Sequence, residues 1–394
     1  MKTPRSRKPV AVALFCGVGG MSLGFEQAGF DVLAGLDADA ISVEAYTKNF
    51  PGSRAVCADL SKLSGDDIRE KSGIGEKPID VLFGGPPCQG FSLIGKRAED
   101  DPRTELVLDF ARLIADLTPA YFVVENVPGM MAGFAVKVVD RFLRAVARSG
   151  YSVIQPIRML DACEFGVPQH RKRVFILGHK SDLPPPTYPE PSVDGASFDA
   201  TRLRPTVGDA IGDLPDADAF EELLTRDSVR AKLGEPSPYA RYLRGKTRDP
   251  HDRAARRTHD PNILTASKRT SHGEDAIARF RATEPGTYEP VSRYYRLSLD
   301  GVATTLRAGT DRAHGSFMAP RPIHPVYHRC ISVREAARLH SFPDWFSFHP
   351  TKWHGFRQVG SAVPPLLARS VAQEIARRVG VAPRRKHGSS RREE

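Results

Sequence analysis

Val10-Ala11-Val12-Ala13-Leu14 runs directly into Phe15-Cys16-Gly17-Val18-Gly19-Gly20, and an amphipathic stretch, residues 21–28, follows. A short apolar run that breaks into glycines and reopens with helical spacing reads as a strand–loop–helix unit. Glycines at the break let the backbone come close to a nucleoside-sized ligand. The unit repeats outward. Residues 31–37, 55–58, 81–83, 121–125, 151–160 and 174–178 are apolar or β-branched runs of strand length. Helical spacing marks 40–49, 106–117 and 136–149 between them. This alternation predicts an α/β fold, a Rossmann-like sheet with helices on both faces.

The ends of the first three strands carry ligand-type residues. Asp37 stands twenty positions after Gly17, where a carboxylate can accept from ribose hydroxyls, and Asp59 closes the third strand. The glycine spacing departs from the six-position dinucleotide pattern, and no Walker lysine follows.

Composition sets outer bounds. A chain of 394 residues has room for a large core and more than one domain. No apolar run reaches the roughly 18 residues of a membrane span, and the basic N-terminus lacks a signal-type stretch, so a cytoplasmic protein is expected. Cys16, Cys57, Cys88, Cys163 and Cys330 are scattered with no CxxC pair, which argues against a structural zinc or disulfide framework. The net charge of +10 favours a polyanionic partner.

Pro184-Pro185-Pro186 makes a stiff exit from the first αβ segment, and the chain beyond it is irregular and rich in Pro, Arg, Asp and Tyr. Helical order is expected again over 332–342, with Ser332 as cap, Glu335 in the first turn and Pro343 as terminator. A last helix is expected over 366–379. His324 and His328 sit four apart, but Pro325 between them disfavours a helix and no further ligand accompanies them, so no metal site is expected.

Three further blocks stand at strand boundaries. Gly84-Gly85-Pro86-Pro87-Cys88-Gln89-Gly90-Phe91-Ser92 follows one strand, Glu125-Asn126-Val127 ends another, and Gln169-His170-Arg171-Lys172-Arg173 opens a third. Gln358-Val359-Gly360-Ser361-Ala362-Val363-Pro364-Pro365 lies near the other end. In this order the blocks resemble those of the DNA cytosine-C5 methyltransferases, over roughly residues 10–180 and 325–378.

The resemblance implies a Rossmann-like S-adenosylmethionine-dependent fold. It implies a catalytic and cofactor domain over 10–183, a smaller irregular target-recognition domain over 184–350, a segment 351–380 returning to the first, and a basic tail over 381–394. Phe15, Gly17, Gly19, Gly20, Asp37, Asp59, Pro86, Leu106 and Val363 would surround the cofactor. Two positions depart from the family pattern. Asp37 stands where Glu is frequent, and Ser361 replaces an Asn whose amide offers two hydrogen-bonding arms.

The chemistry explains the residue types. Cytosine C5 is a poor nucleophile until a thiolate adds to C6, and Pro86-Pro87 would present Cys88 for that addition at a set angle. Glu125 would protonate or hydrogen-bond N3. Arg171 and Arg173, two apart, would share a face and clamp the base carbonyl or a phosphate. Gln89, Ser92, Asn126 and Gln169 would support the substrate loop. The target base must leave the duplex to be reached. Arg241, Arg244, Lys246, Arg248, Arg253, Arg256 and Arg257, beside Tyr239 and Tyr242, and Arg296 after Tyr294-Tyr295, would grip and read double-stranded DNA.

The expected protein is therefore a monomeric DNA methyltransferase of the restriction–modification type, with a cognate endonuclease as its expected companion. An RNA (tRNA) cytosine-5 methyltransferase on the same scaffold, and a catalytically silent DNA-binding protein, are the alternatives.

Overall fold

The computed structural model describes residues 7–87, 105–192, 204–247, 249–255, 257–309 and 321–380. The first part runs β1 (Val10–Leu14), α1 (Gly20–Ala28), β2 (Asp31–Asp37), α2 (Ala40–Asn49), β3 (Arg54–Cys57), α3 (Gly65–Ser72) and β4 (Val81–Gly84). It continues through α4 (Glu105–Leu117), β5 (Tyr121–Asn126), α5 (Ala135–Arg148), β6 (Tyr151–Val153), β7 (Arg158–Asp161) and β8 (Lys172–Lys180). The strands form one sheet in the order β3-β2-β1-β4-β5-β8-β6, with β7 also on β8. Strands β3 to β5 are parallel, and β8 is antiparallel to β5, β6 and β7.

Strand periodicity sorts the core. Ala11 and Ala13 of β1, with Tyr121 and Val123 of β5, face a layer that holds α1 and α2. Val12 and Leu14, with Phe122 and Val124, face the layer of α3, α4 and α5. Burial on both faces explains why these strands read as continuous apolar runs rather than as alternating ones.

Two expectations needed revision. The strand expected over 151–160 is two strands, because Pro156 in the gap has no N–H for a ladder. Helix α3 was not foreseen, since Ile68 is its one large apolar residue. Its start is instead set by a capping box between Ser64 and Asp67.

The remaining elements are α6 (Val207–Ile211), β9 (Val229–Arg230), α7 (Pro238–Leu243), β10 (Ile263–Leu264), α8 (Glu274–Ala282), α9 (Val333–Leu339), α10 (Lys352–Ser361) and α11 (Pro365–Arg378). Ser332 and Glu335 form the expected box on α9, though the helix stops at Leu339 rather than 342. Helix α11 lies against α1. A Cβ on Gly24 would stand 2.5 Å from Ala368 Cβ and 2.5 Å from Arg369 N, so the crossing needs glycine. Buried ion pairs tie the irregular region together. Arg338 bonds Asp213 at 2.5 Å and Asp344 at 2.7 Å, Arg244 also pairs with Asp213, and Arg329 bonds Glu335 at 2.7 Å and Asp216 at 3.0 Å. Among the described residues, no helix is long and apolar enough to cross a membrane.

Candidate active site

The parallel register lines the strand ends up in one row. Leu14 stands opposite Leu36 and Gly84, Gly84 opposite Val124, and Asp37 opposite Cys57. The loop at 15–20, Asp37, Asp59, the Gly85-Pro86-Pro87 turn and Glu125-Asn126 therefore leave the sheet along one edge. Chain order reverses there between β1 and β4, the switch point where open α/β sheets bind ligands.

On the β1 side the loop is shaped by its glycines. Gly17 has φ 52 with nothing within 4 Å of an added Cβ, leaving open space beside it. Gly20 is closed, since a Cβ there would meet Val363 O at 2.4 Å. Val363 thus joins the loop from the far end of the chain. Phe15 holds a left-handed φ of 51 and stacks on Phe110 of α4 at 6.4 Å, the helix whose second residue is Leu106. Asp37 accepts from Gly17 N at 2.8 Å and Asp39 N at 2.9 Å. Burial raises its carboxyl above the usual range, opposed by those N–H groups. Asp59 caps the turn after β3, accepting from Ser61 N at 3.1 Å and Ser61 Oγ at 2.7 Å, with its side chain half exposed. An open glycine floor beside an anchored carboxylate suits a nucleoside-bearing cofactor.

Glu125 occupies the next corner, at the end of β5. Its carboxylate receives Arg173 Nε at 2.8 Å, and both side chains are almost buried. Burial raises the Glu125 carboxyl, and the Arg173 and Arg171 guanidiniums pull against that rise. Gly85 is what allows the approach, because a Cβ there would lie 2.6 Å from Glu125 Oε2. The glycine doublet before Pro86 is the sequence signal for this contact. Asn126 Nδ2 donates to Pro86 O at 3.2 Å while its Oδ1 accepts from Val127 N at 2.9 Å. Asn126 therefore braces the Pro-Pro turn rather than facing the substrate. Cys88, Gln89 and Ser92 lie outside the described residues.

The expected partnership of Arg171 and Arg173 divides. Both influence Glu125, and Arg173 meets it in an ion pair. Arg171 is fully buried and donates to Leu306 O at 2.9 Å, Gly360 O at 2.7 Å and Ala362 O at 2.9 Å. Its expected role as a clamp on base or phosphate is corrected: the guanidinium joins the end of α10 to the sheet. The carbonyls on both sides of Ser361 are held this way, so an arginine braces the stretch where the family's Asn was missed. Gln169 is likewise an internal brace. Its Nε2 lies 3.2 Å from Leu339 O and 2.9 Å from His340 Nδ1, and its Oε1 accepts from Leu306 N at 3.0 Å.

The expected DNA-reading arginines are also largely occupied. Arg244 is buried against Asp213. Arg296 is buried and donates to Phe280 O at 2.9 Å and Thr283 O at 2.7 Å. Arg257 pairs with Glu26 at 2.7 Å and lies over Trp345 at 4.7 Å. These placements correct the expectation for Arg244 and Arg296, since freeing either would strand a buried partner. Arg241 is exposed on α7 and pairs with Glu235 at 2.9 Å. Arg248 and Arg256 lie outside the described residues. His324 serves the fold, accepting from Val326 N at 3.1 Å and Tyr327 N at 3.0 Å.

Similarity to known proteins bears on this edge directly. The sequence model of the C-5 cytosine-specific DNA methylases matches residues 11–377. The chain belongs to that family. It is a DNA cytosine-5 methyltransferase of the restriction–modification kind. The type II methyltransferase M.XorII of Xanthomonas oryzae pv. oryzae is 50% identical over 376 residues, spanning 95% of this chain and 86% of that protein. The type II methyltransferase M.AgeI of Thalassovita gelatinovora is 33% identical over 435 residues, spanning 92% and 98%. A solved Escherichia coli structure, assigned as a prophage-encoded DNA modification methyltransferase, superposes with a TM-score of 0.75 at 31% identity, covering 94% and 99%. The Dnmt2 methyltransferase of S. pombe shares the methylase fold, with a TM-score of 0.57 at 17% identity over 95% of this chain and 100% of that one.

Proposed function

We propose that this methylase modifies C5 of a cytosine flipped out of a specific double-stranded DNA sequence, through a covalent bond between Cys88 and C6. The observation that carries this reading is the nearly buried Glu125 carboxyl. It sits on the strand beside the Pro86-Pro87 turn, raised by burial and aimed by Arg173. A carboxyl raised in this way keeps its proton to higher pH than an exposed glutamate, which suits it to proton donation.

Cys88 Sγ would bond to C6 as the C5–C6 π pair moves to C4–C5 and the C4–N3 π pair moves onto N3, where Glu125 would deliver a proton, leaving C5 as an enamine carbon. Arg173 would hold the carboxyl in place, and Asn126 would fix the turn that leads to the thiol. S-adenosylmethionine fits the neighbouring corner and would supply an electrophilic methyl to C5, held by Phe15, Gly17, Gly19, Gly20 and Asp37, with Asp59, Pro86, Leu106 and Val363 around it. Loss of the C5 proton to a base then allows the Cys88–C6 bond to break. Residues 10–183 and 351–380 would carry this chemistry and 184–350 the target choice. The enzyme would act as a monomer in the cytoplasm, alongside a cognate restriction endonuclease. The family's DNA-specific description favours DNA over an RNA substrate.

A duplex carrying 5-fluorocytosine at the target should form a denaturation-resistant complex, because fluorine does not leave as a proton. Cys88→Ser should abolish both the complex and turnover while still binding the cofactor. Turnover by the serine variant would refute the assignment, and methyl transfer to tRNA but not to duplex DNA would refute the substrate.

A further inference from the structure

Arg244 and Arg296 are held in the interior, yet one loop of the same region projects an arginine that has no partner among the described residues. Residues 286–296 form a tight hairpin-like turn. Tyr288 and Tyr295 pair as an antiparallel bridge with rings 5.1 Å apart. Glu289 N donates to Tyr294 O, Arg293 N to Glu289 O, Arg296 N to Thr287 O and Gly286 N to Arg296 O, each at 2.8 Å.

A buried carboxylate organises the turn. Glu289 is fully buried, accepts from Val291 N at 3.0 Å and from Ser292 N and Ser292 Oγ, and lies 3.3 Å from Arg279 Nε. Arg296 pins the base of the loop by donating to Phe280 O, Thr283 O and Pro325 O.

The tip is the opposite of this interior. Val291 is 71% exposed and Tyr288 62% exposed. Arg293 is exposed, and among the described residues its guanidinium pairs with nothing. Its φ is 57, a left-handed conformation uncommon for a side chain of this size. A backbone outlier at a buttressed, solvent-facing tip points to function rather than to folding.

The loop is also joined through a short stretch of chain to the segment that carries Arg173. Ala303, ten residues after Arg293, pairs with Gln169 beside the Arg171–Arg173 segment. Ten residues span at most about 36 Å, roughly one turn of duplex, which bounds how far the tip stands from Ala303 and is the scale of the base pairs flanking one target.

We infer that Arg293 is a specificity-determining residue. Its guanidinium enters the major groove and bonds O6 and N7 of one guanine flanking the target cytosine, the pairing that the planar fork matches. Tyr288 and Val291 supply apolar contact beside it, and Glu289 and Arg296 are positioning residues. This rests on the reading of the protein as a sequence-specific DNA methylase.

The test is single-turnover methylation of a duplex library in which each flanking pair is varied, with product sites read by bisulfite sequencing. Arg293→Gly is the informative variant because glycine prefers this φ, so its thermal unfolding should match or exceed the parent. Arg293→Lys keeps the charge and loses the fork. Both should lose about ten- to hundred-fold discrimination at one guanine position and leave other positions unchanged. Unchanged discrimination in both variants overturns the inference. So does uniformly weaker binding to all duplexes with a shallower salt dependence, which marks a phosphate contact. A wild-type enzyme that methylates no duplex brings down the function itself. Active wild type with unaltered variants brings down this assignment alone.

Discussion

At the scale of single residues, the site turns on how a carboxyl is raised by burial and held in place. Glu125 is pushed up by burial and held partly down by Arg173 and Arg171. At any given pH near its titration it therefore carries its proton more often than an exposed glutamate. Single-turnover methyl transfer should fall as pH rises through that raised value, and Glu125→Gln should be slower by ~10²–10⁴ and flat over the same window. Cofactor affinity, read by calorimetry, should hardly change. An unaltered pH profile in the Gln variant would show that another group supplies the proton. Gly85→Ala probes the same contact from the neighbouring strand. With a Cβ 2.6 Å from the carboxylate, it should displace Glu125 and cost at least tenfold in rate without unfolding the protein.

At the scale of elements, local sequence rules set most starts and stops, and close approach sets the packing. Helix α9 starts at a Ser332–Glu335 box, so Ser332→Ala should lower stability by about 1 kcal/mol in urea unfolding, with little effect on the chemical step. The α1–α11 crossing behaves differently. Gly24→Ala adds one carbon where Ala368 Cβ and Arg369 N already stand at 2.5 Å, and should cost ~1–3 kcal/mol by overpacking. Because α11 follows the segment carrying Val363, the same change should weaken cofactor binding. A Gly24→Ala protein with wild-type stability would mean that the helices slide apart freely. The split of β6 from β7, and the polar helix α3, show where periodicity fails. A proline inside an apolar run removes a ladder donor, and a helix with one apolar residue has little face to detect.

At the scale of the whole molecule, the +10 charge reads as an electrostatic footprint for a polyanion, but several of the arginines counted in it serve the interior instead. Arg329, Arg338, Arg244 and Arg369 are buried against carboxylates, and Arg171 and Arg296 against carbonyls. Glu335 shows the consequence for pH. Burial alone would raise its carboxyl, but Arg329 and His324 outweigh that and bring it to about 2. A lowered folded value means that this stabilisation is complete above the ordinary glutamate value of 4.5 and is lost as pH falls toward 2. Glu335→Gln should cost about 3–5 kcal/mol at neutral pH and make acid unfolding less steep, since the partner arginine stays buried. Equal acid sensitivity in the variant and the parent would exclude Glu335 as the titrating group.

The sequence by itself determined the alternating α/β order, the row of ligand-edge residues at the strand ends and the Glu125-Asn126 corner. These depend on neighbours a few positions apart: strand runs, glycine breaks and prolines act locally, and a parallel sheet then lines their ends up. Tertiary structure alone decided what each arginine does. A guanidinium carries the same charge and donors whether it faces a phosphate, a carboxylate or a carbonyl, and its spacing along the chain is silent on the difference. Arg171 became a brace because Gly360 and Ala362, nearly two hundred residues away, bring their carbonyls to it. Arg244 and Arg296 were withdrawn from the surface by Asp213 and by the end of α8. Arg293 stayed free because the turn around Glu289 points it into solvent, where no described acid meets it. Burying a charge costs several kcal/mol unless partners compensate, and only the folded chain determines which arginines receive them.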